Sequence, residues 1–218
     1  IFGISAEYPP FEYIDNGDVK GFDIDLAKTI GEKLNKRVTF QDMQFSVLFQ
    51  ALRSDQIDLV ISTLTTTPQR EKGFDFSKPY YFGKIGVIFD KKDDIKTIED
   101  LKNIKVGTQM ASSNETWAKD KLSNKEIVSL NNNVQGIEML KNGSINALIT
   151  DEFQGHELAK QDPKLKYITL SESGYGYTIM FKKGSPLKEK VDAVLDDLIK
   201  SGYIKSLEDK WISNKTHE

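Results

Sequence analysis

Hydrophobic positions along this chain recur with two periods, and their alternation sets the expected order of elements. Residues 1–5 read as a first strand. Phe22, Leu26, Ile30 and Leu34 then recur every four residues, the period of an amphipathic helix. Residues 37–40 predict a second strand, and Phe45, Leu48, Phe49 and Leu52 the next helix. The apolar run 57–61 predicts a buried strand. Strand, helix, strand, helix, strand is the order of a mostly parallel sheet wrapped by helices. Two polar stretches punctuate it. Residues 6–13 hold two prolines and three aromatics and read as a rigid loop, and residues 15–18 read as a hairpin-like turn.

The texture changes after Arg70. Residues 74–82 are too aromatic and broken for a helix, residues 85–89 predict a strand, and a charged run follows at 90–94, a solvated loop or a link between domains. A second alternating block then begins. Thr97 caps a short helix through Leu101, and strands are expected at 105–108, 127–130 and 147–150. Helices carry Trp117 with Leu122, then Val134, Ile137 and Leu140, then residues 152–160. Strands at 167–170 and 175–181 follow. Two closing helices carry Leu187, Val191, Val194 and Leu198, then Ile204, Leu207 and Trp211. Two like blocks predict two similar α/β lobes, and no repeat has a solenoid period.

Composition narrows the function classes. The 218 residues suffice for one large domain or two small ones, and the net charge of −3 gives no basic nucleic-acid surface. No apolar run approaches the ~20 residues of a membrane span. The chain opens on Ile1 as a strand already under way, so a leader or anchor is expected to have been removed. Without cysteine there is no disulfide, thiolate nucleophile or thiolate metal site, and the only histidines, His156 and His217, lie far apart. No metal or cofactor is expected. Glycosylation triplets occur at Asn114, Asn142 and Asn214, a pattern that often arises by chance.

The most informative stretch is 62–70, Ser-Thr-Leu-Thr-Thr-Thr-Pro-Gln-Arg. Thr67 has the chemistry of a helix N-cap and Pro68 suits the first helical position. Arg70 stands where a capping box would place Glu or Gln. A cation among the unpaired N–H groups of a helix start opposes the helix dipole, unless it and those donors share one anion such as a carboxylate. On these residues alone, a surface arginine on a short helix is an equal reading.

Several stretches together resemble the polar amino-acid-binding proteins of ATP-binding-cassette importers (solute-binding protein family 3). They are Tyr8-Pro9-Pro10-Phe11-Glu12, then Gly21-Phe22-Asp23-Ile24-Asp25-Leu26-Ala27, then 62–70, and Phe76-Ser77-Lys78-Pro79-Tyr80-Tyr81. Lys105-Val106-Gly107-Thr108, Ser112-Ser113-Asn114-Glu115 and Asn146-Ala147-Leu148-Ile149-Thr150-Asp151 complete the pattern across nearly the whole chain. The resemblance implies a type II periplasmic binding protein fold, two three-layer lobes with mostly parallel sheets joined by two crossover strands. Lobe 1 would be 1–88 plus 181–218 and lobe 2 would be 89–180, with the ligand cleft between them. It implies a monomeric, non-enzymatic receptor that closes by hinge motion on a free L-amino acid and hands it to an ABC permease. Its place would be the periplasm, or a lipid anchor at the outer face of the cytoplasmic membrane.

The same resemblance assigns the ligand carboxylate to Arg70, Thr65, Ser113 and Asn114, and the ligand ammonium to Asp151 and Thr63. By spacing alone Asp151 is the N-cap of the following helix. Tyr8 and Phe45 would be aromatic walls for the ligand side chain, with core packing the alternative; Tyr80 and Tyr81 would pack beneath the site. Where many basic-residue and glutamine binders of the family carry an acid near the first strand, this chain has Ser5. Glu7, Glu12 and Gln154 remain as groups toward the ligand side chain. A cationic side chain in a dry site needs a matched carboxylate, which favours arginine, with glutamine as the alternative. An enzyme of this fold, resembling cyclohexadienyl dehydratase, and a sensor ligand-binding domain are the competing readings.

Overall fold

The computed structural model describes residues 1–122 and 126–212, without the side chains of 171–175. Asn214 and His217 lie outside the described residues. The chain divides into two compact units, Ile1–Tyr81 with Gly176–Glu218, and Phe82–Tyr175.

The first unit starts with β1 (Phe2–Ile4). A small antiparallel sheet follows, of β2 (Glu7–Tyr8), β3 (Glu12–Asp15) and β4 (Asp18–Lys20). Part of the stretch expected as a loop is therefore strand, because β3 pairs with both neighbours. The β3–β4 turn is made by Asn16 and Gly17, with φ of 51° and 87°, as a tight hairpin requires. Next come α1 (Phe22–Lys33), β5 (Phe40–Asp42), α2 (Phe45–Arg53), β6 (Leu59–Val60), α3 (Pro68–Glu71) and β7 (Phe74–Phe76). The strand expected at 37–40 is thus found at 40–42: parallel pairing of Phe2 with Phe40 through Ile4 with Asp42 sets its register.

In the second unit β8 (Tyr81–Asp90) leads to a 3-10 turn (Ile98–Leu101) with Thr97 and Asp100 forming a capping box. Then follow β9 (Val106–Gln109), α4 (Ser113–Leu122), β10 (Ile127–Leu130), α5 (Asn133–Lys141), β11 (Ala147–Asp151), α6 (Glu152–Lys160) and β12 (Leu165–Tyr177). The chain returns to the first unit for β13 (Met180–Lys182), α7 (Leu187–Lys200) and α8 (Tyr203–Trp211). Both divisions fall ahead of residues 88 and 180. β8 pairs with β11 from Ile85 onward and neighbours β12, so both strands belong to the second sheet.

Each five-stranded sheet has a parallel core extended by antiparallel strands. The first runs β5-β1-β6-β13-β7, with β1 parallel to β5 and β6, and β13 antiparallel to β6 and β7. The second runs β10-β9-β11-β8-β12, with β9 parallel to β10 and β11. Strand alternation sends successive side chains to opposite faces. In the second unit Val87, Phe89, Ala147 and Ile149 join Trp117, Ala118 and Leu122 of α4 in one core. Ile88 and Leu148 join Ile137 and Leu140 of α5 and Leu158 of α6 in another. In the first unit Val60 and Met180 pack with Leu48 and Leu52 of α2. Gly3 allows that approach, since a β-carbon there would come 2.3 Å from Ile57 Cδ1. Helices α1, α7 and α8 pack on one another. Val134, expected on the buried face of α5, is exposed. Among the described residues no helix is long and apolar enough to cross a membrane.

Candidate functional site

Loops at the carboxyl ends of parallel strands gather ligand-binding groups, because helix N-termini converge there. In the first unit β1 and β6 run side by side, Gly3 beside Val60, and then deliver Ser5 and the 62–67 loop. That loop is tied from behind. Leu64 O accepts the N–H of Thr178 at 2.7 Å and its hydroxyl at 3.0 Å, and Thr65 bridges to Tyr177.

Thr67 caps α3 as predicted: its Oγ1 accepts the N–H of Arg70 at 3.2 Å, with Pro68 at the first position. The cap turns the Arg70 side chain back over the loop. Its Nη1 donates to Thr65 O at 2.5 Å and to Thr65 Oγ1 at 3.3 Å. The guanidinium carbon lies 5.2 Å from the ring centre of Phe49 and 5.9 Å from that of Phe45, within cation–π range. Burial pushes the Arg70 pKa down to about 10, so it is a cation at neutral pH whose charge is poorly solvated. Phe45 is buried in the α2 core and edge-on to Phe49.

The acids separate by environment. Glu7 is exposed. Glu12, whose ordinary state would be exposure, is 1% exposed, and its Oε1 accepts the hydroxyl of Ser62 at 2.6 Å. Ser62 Oγ in turn accepts the N–H of Ser5 at 3.0 Å. Ser62 is therefore the relay joining Ser5 to Glu12, a role its sequence neighbourhood did not reveal because its partners lie fifty or more residues away. Tyr8 is buried and faces Glu12 across the β2–β3 pair. Tyr80 is stacked on Phe22 at 6.0 Å and Tyr81 is edge-on to Phe11 at 5.4 Å. Thr63 has φ of 45°, and its N–H donates to Asp23 Oδ2 at 2.9 Å.

In the second unit β9 and β11 run parallel, Thr108 beside Ile149, and each runs into a helix start. Ser112 caps α4: its Oγ accepts the N–H of Glu115 at 3.1 Å and donates to Gln109 O at 2.7 Å. Ser113 and Asn114 are the first two helical residues, half-buried, at positions whose N–H groups have no acceptor within the helix. Glu115 Oε2 accepts the N–H of Ala111, which has φ of 63°, at 2.9 Å. Burial opposes the Glu115 charge, yet the Ser129 hydroxyl, Lys119 and that N–H hold its pKa below the usual range.

Asp151 ends β11 and is buried. Its Oδ1 accepts the N–H groups of Phe153 and Gln154, both at 3.1 Å, so the capping role read from spacing is realised. Gln154 is 2% exposed, and its Oε1 accepts the Thr150 hydroxyl at 2.9 Å and the amide of Asn133. That carbonyl is thus bonded within an interior network. Among the described residues no group of three His, Asp or Glu could hold a metal ion.

These geometries can be set beside known proteins. Residues 1–214 match the bacterial extracellular solute-binding proteins, family 3. The chain is 31% identical, over 99% of its length and 86% of the relative's, to the arginine-binding extracellular protein ArtP of Bacillus subtilis (strain 168). Among solved structures, an ancestral arginine-binding protein bound to arginine superposes with a TM-score of 0.89 at 37% identity, covering 97% of each chain. An ancestral arginine-binding protein bound to glutamine does so with 0.90 at 36%, covering 97% of this chain and 96% of that one. The fold is that of the type II periplasmic binding proteins, and the chain belongs to the bacterial extracellular solute-binding proteins of family 3.

Proposed function

We propose that this protein is a non-enzymatic extracytoplasmic receptor that closes on a free L-amino acid with a cationic side chain, arginine first, and delivers it to an ABC permease. The observation that carries the reading is Arg70, a poorly solvated guanidinium tied to the Thr65 carbonyl and held over Phe45 and Phe49. A carboxylate fits that fork in a way a lysine could not reproduce. Arg70, Thr65, Ser113 and Asn114 are assigned to the ligand carboxylate, and Asp151 and Thr63 to its ammonium. Tyr8 and Phe45 flank the ligand side chain, and Glu12 with Ser62 and Ser5 meets its cationic end, with Glu7 nearer solvent. Support for arginine is the burial of Glu12, since a carboxylate out of water favours a cationic partner. The arginine named for ArtP and for the ancestral structure agrees with it.

Glutamine is the second reading, favoured by the glutamine-bound ancestral structure. The protein acts as a monomer, in the periplasm or lipid-anchored at the outer face of the cytoplasmic membrane.

A thermal-shift screen of the twenty amino acids tests this, because a ligand that binds only the native state stabilises by mass action. The expected result is a large shift with arginine, smaller ones with lysine, histidine or glutamine, and none with acidic residues. No shift with any of those four overturns the specificity, and turnover of prephenate or arogenate overturns the non-enzymatic reading.

A further inference from the structure

Asp23 stands in the first turn of α1 with no exposed surface. A buried carboxylate is costly unless its oxygens are bonded. Asp23 directs them at a loop forty residues away and at an aromatic ring: Oδ2 accepts the N–H of Thr63 and Oδ1 the hydroxyl of Tyr80, both at 2.9 Å. Burial, with the charge of Asp23 next, holds the Tyr80 pKa well above its ordinary value, so the phenol remains a donor.

Thr63 needs such a hold. Its φ of 45° is in the left-handed region, where a β-branched residue is a steric outlier. Strained backbone of this kind persists when its surroundings over-determine it, and it concentrates at ligand clamps. Leu64, the next residue, is anchored through its carbonyl by Thr178, so the loop is pinned on both sides of the turn.

We propose that Asp23 is a positioning residue for amino-acid binding: by holding the Thr63 N–H it keeps the 62–67 loop in the one conformation that presents Thr63 to the ligand ammonium. This inference rests on the receptor reading above. Asp23 itself touches no ligand; it acts through Thr63.

The test is a double-mutant cycle read by calorimetric titration with L-arginine. Asp23→Asn keeps the side-chain shape but replaces one of two acceptor oxygens by a donor. It is expected to raise Kd at least tenfold in the wild-type background. In a Thr63→Gly background the factor is expected to shrink at least threefold, because glycine adopts positive φ without being held. Hydrogen exchange supplies a readout without ligand: the Thr63 amide in the wild type is expected to be as protected as the amides of β6, and Asp23→Asn to speed its exchange alone. Unchanged affinity, equal factors in both backgrounds, or an unprotected Thr63 amide in the wild type overturns the inference while the receptor reading stands. A wild type that binds no amino acid overturns both. If Asp23→Asn does not melt cooperatively or Thr63→Gly does not bind, the wild-type Thr63 protection decides.

Discussion

The Nη1 nitrogen of Arg70 donates to the carbonyl of Thr65, five residues earlier, at 2.5 Å. The residue expected to grip a ligand is thus first gripped by its own loop, and its guanidinium plane is set by a backbone group instead of by solvent. Pre-orientation of this kind lowers the entropy that binding must otherwise remove.

Arg70→Ala is expected to weaken amino-acid binding by about 3–5 kcal/mol, the range for removing one partner of a buried charge pair. The unliganded protein should still melt cooperatively, with a modest loss for the Thr65 hydrogen bonds that go with the guanidinium. Calorimetric titration and a melt of the free protein check this, and near-normal affinity would remove the central assignment.

Glu12→Gln tests the side-chain end. The buried carboxylate bonded to Ser62 is replaced by an isosteric neutral amide. Affinity for arginine should fall by about 1.5–3 kcal/mol, the range for a hydrogen bond to a charged group. Affinity for glutamine should change far less. An equal loss for both ligands would assign Glu12 to the fold alone.

Asp151 caps α6 and is proposed to meet the ligand ammonium, and one substitution separates the two roles. Asn caps helices about as well as Asp, so Asp151→Asn should leave the melting temperature within a few degrees while abolishing measurable binding. Asp151→Ala should add a stability loss of about 1 kcal/mol for the two N–H groups it caps. Asp151→Asn with wild-type affinity would leave the cap as the sole role.

Ser112→Ala removes the acceptor for the Glu115 N–H at the start of α4. A loss of about 0.5–2 kcal/mol is expected, seen as a lower denaturant midpoint with an unchanged slope. Arginine affinity should fall with it, because Ser113 and Asn114 follow directly in the chain.

Much of this architecture was legible beforehand. The 3.6-residue pattern located α1, α2, α5, α7 and α8, and the Thr67-Pro68 pair marked the start of α3. Strand edges were less legible. β5 begins at Phe40 because its register is chosen by β1, and β2 and β3 exist because they pair. Val134 matched a helical face yet is exposed, since periodicity marks which positions share a face and not how far the neighbouring core extends.

The chain by itself determined the element order, the capped start of α3 and the placing of Arg70 and Asp151 at helix starts after buried strands, because these depend on residues a few positions apart. Tertiary structure decided which polar groups lost water and what they met instead. Glu12 is buried against Ser62, Asp23 holds Thr63, and the carbonyl of Gln154 is taken by Thr150 and Asn133. Burial is a property of packed layers, and two of these pairings join residues forty or more positions apart; a local pattern carries no record of such partners.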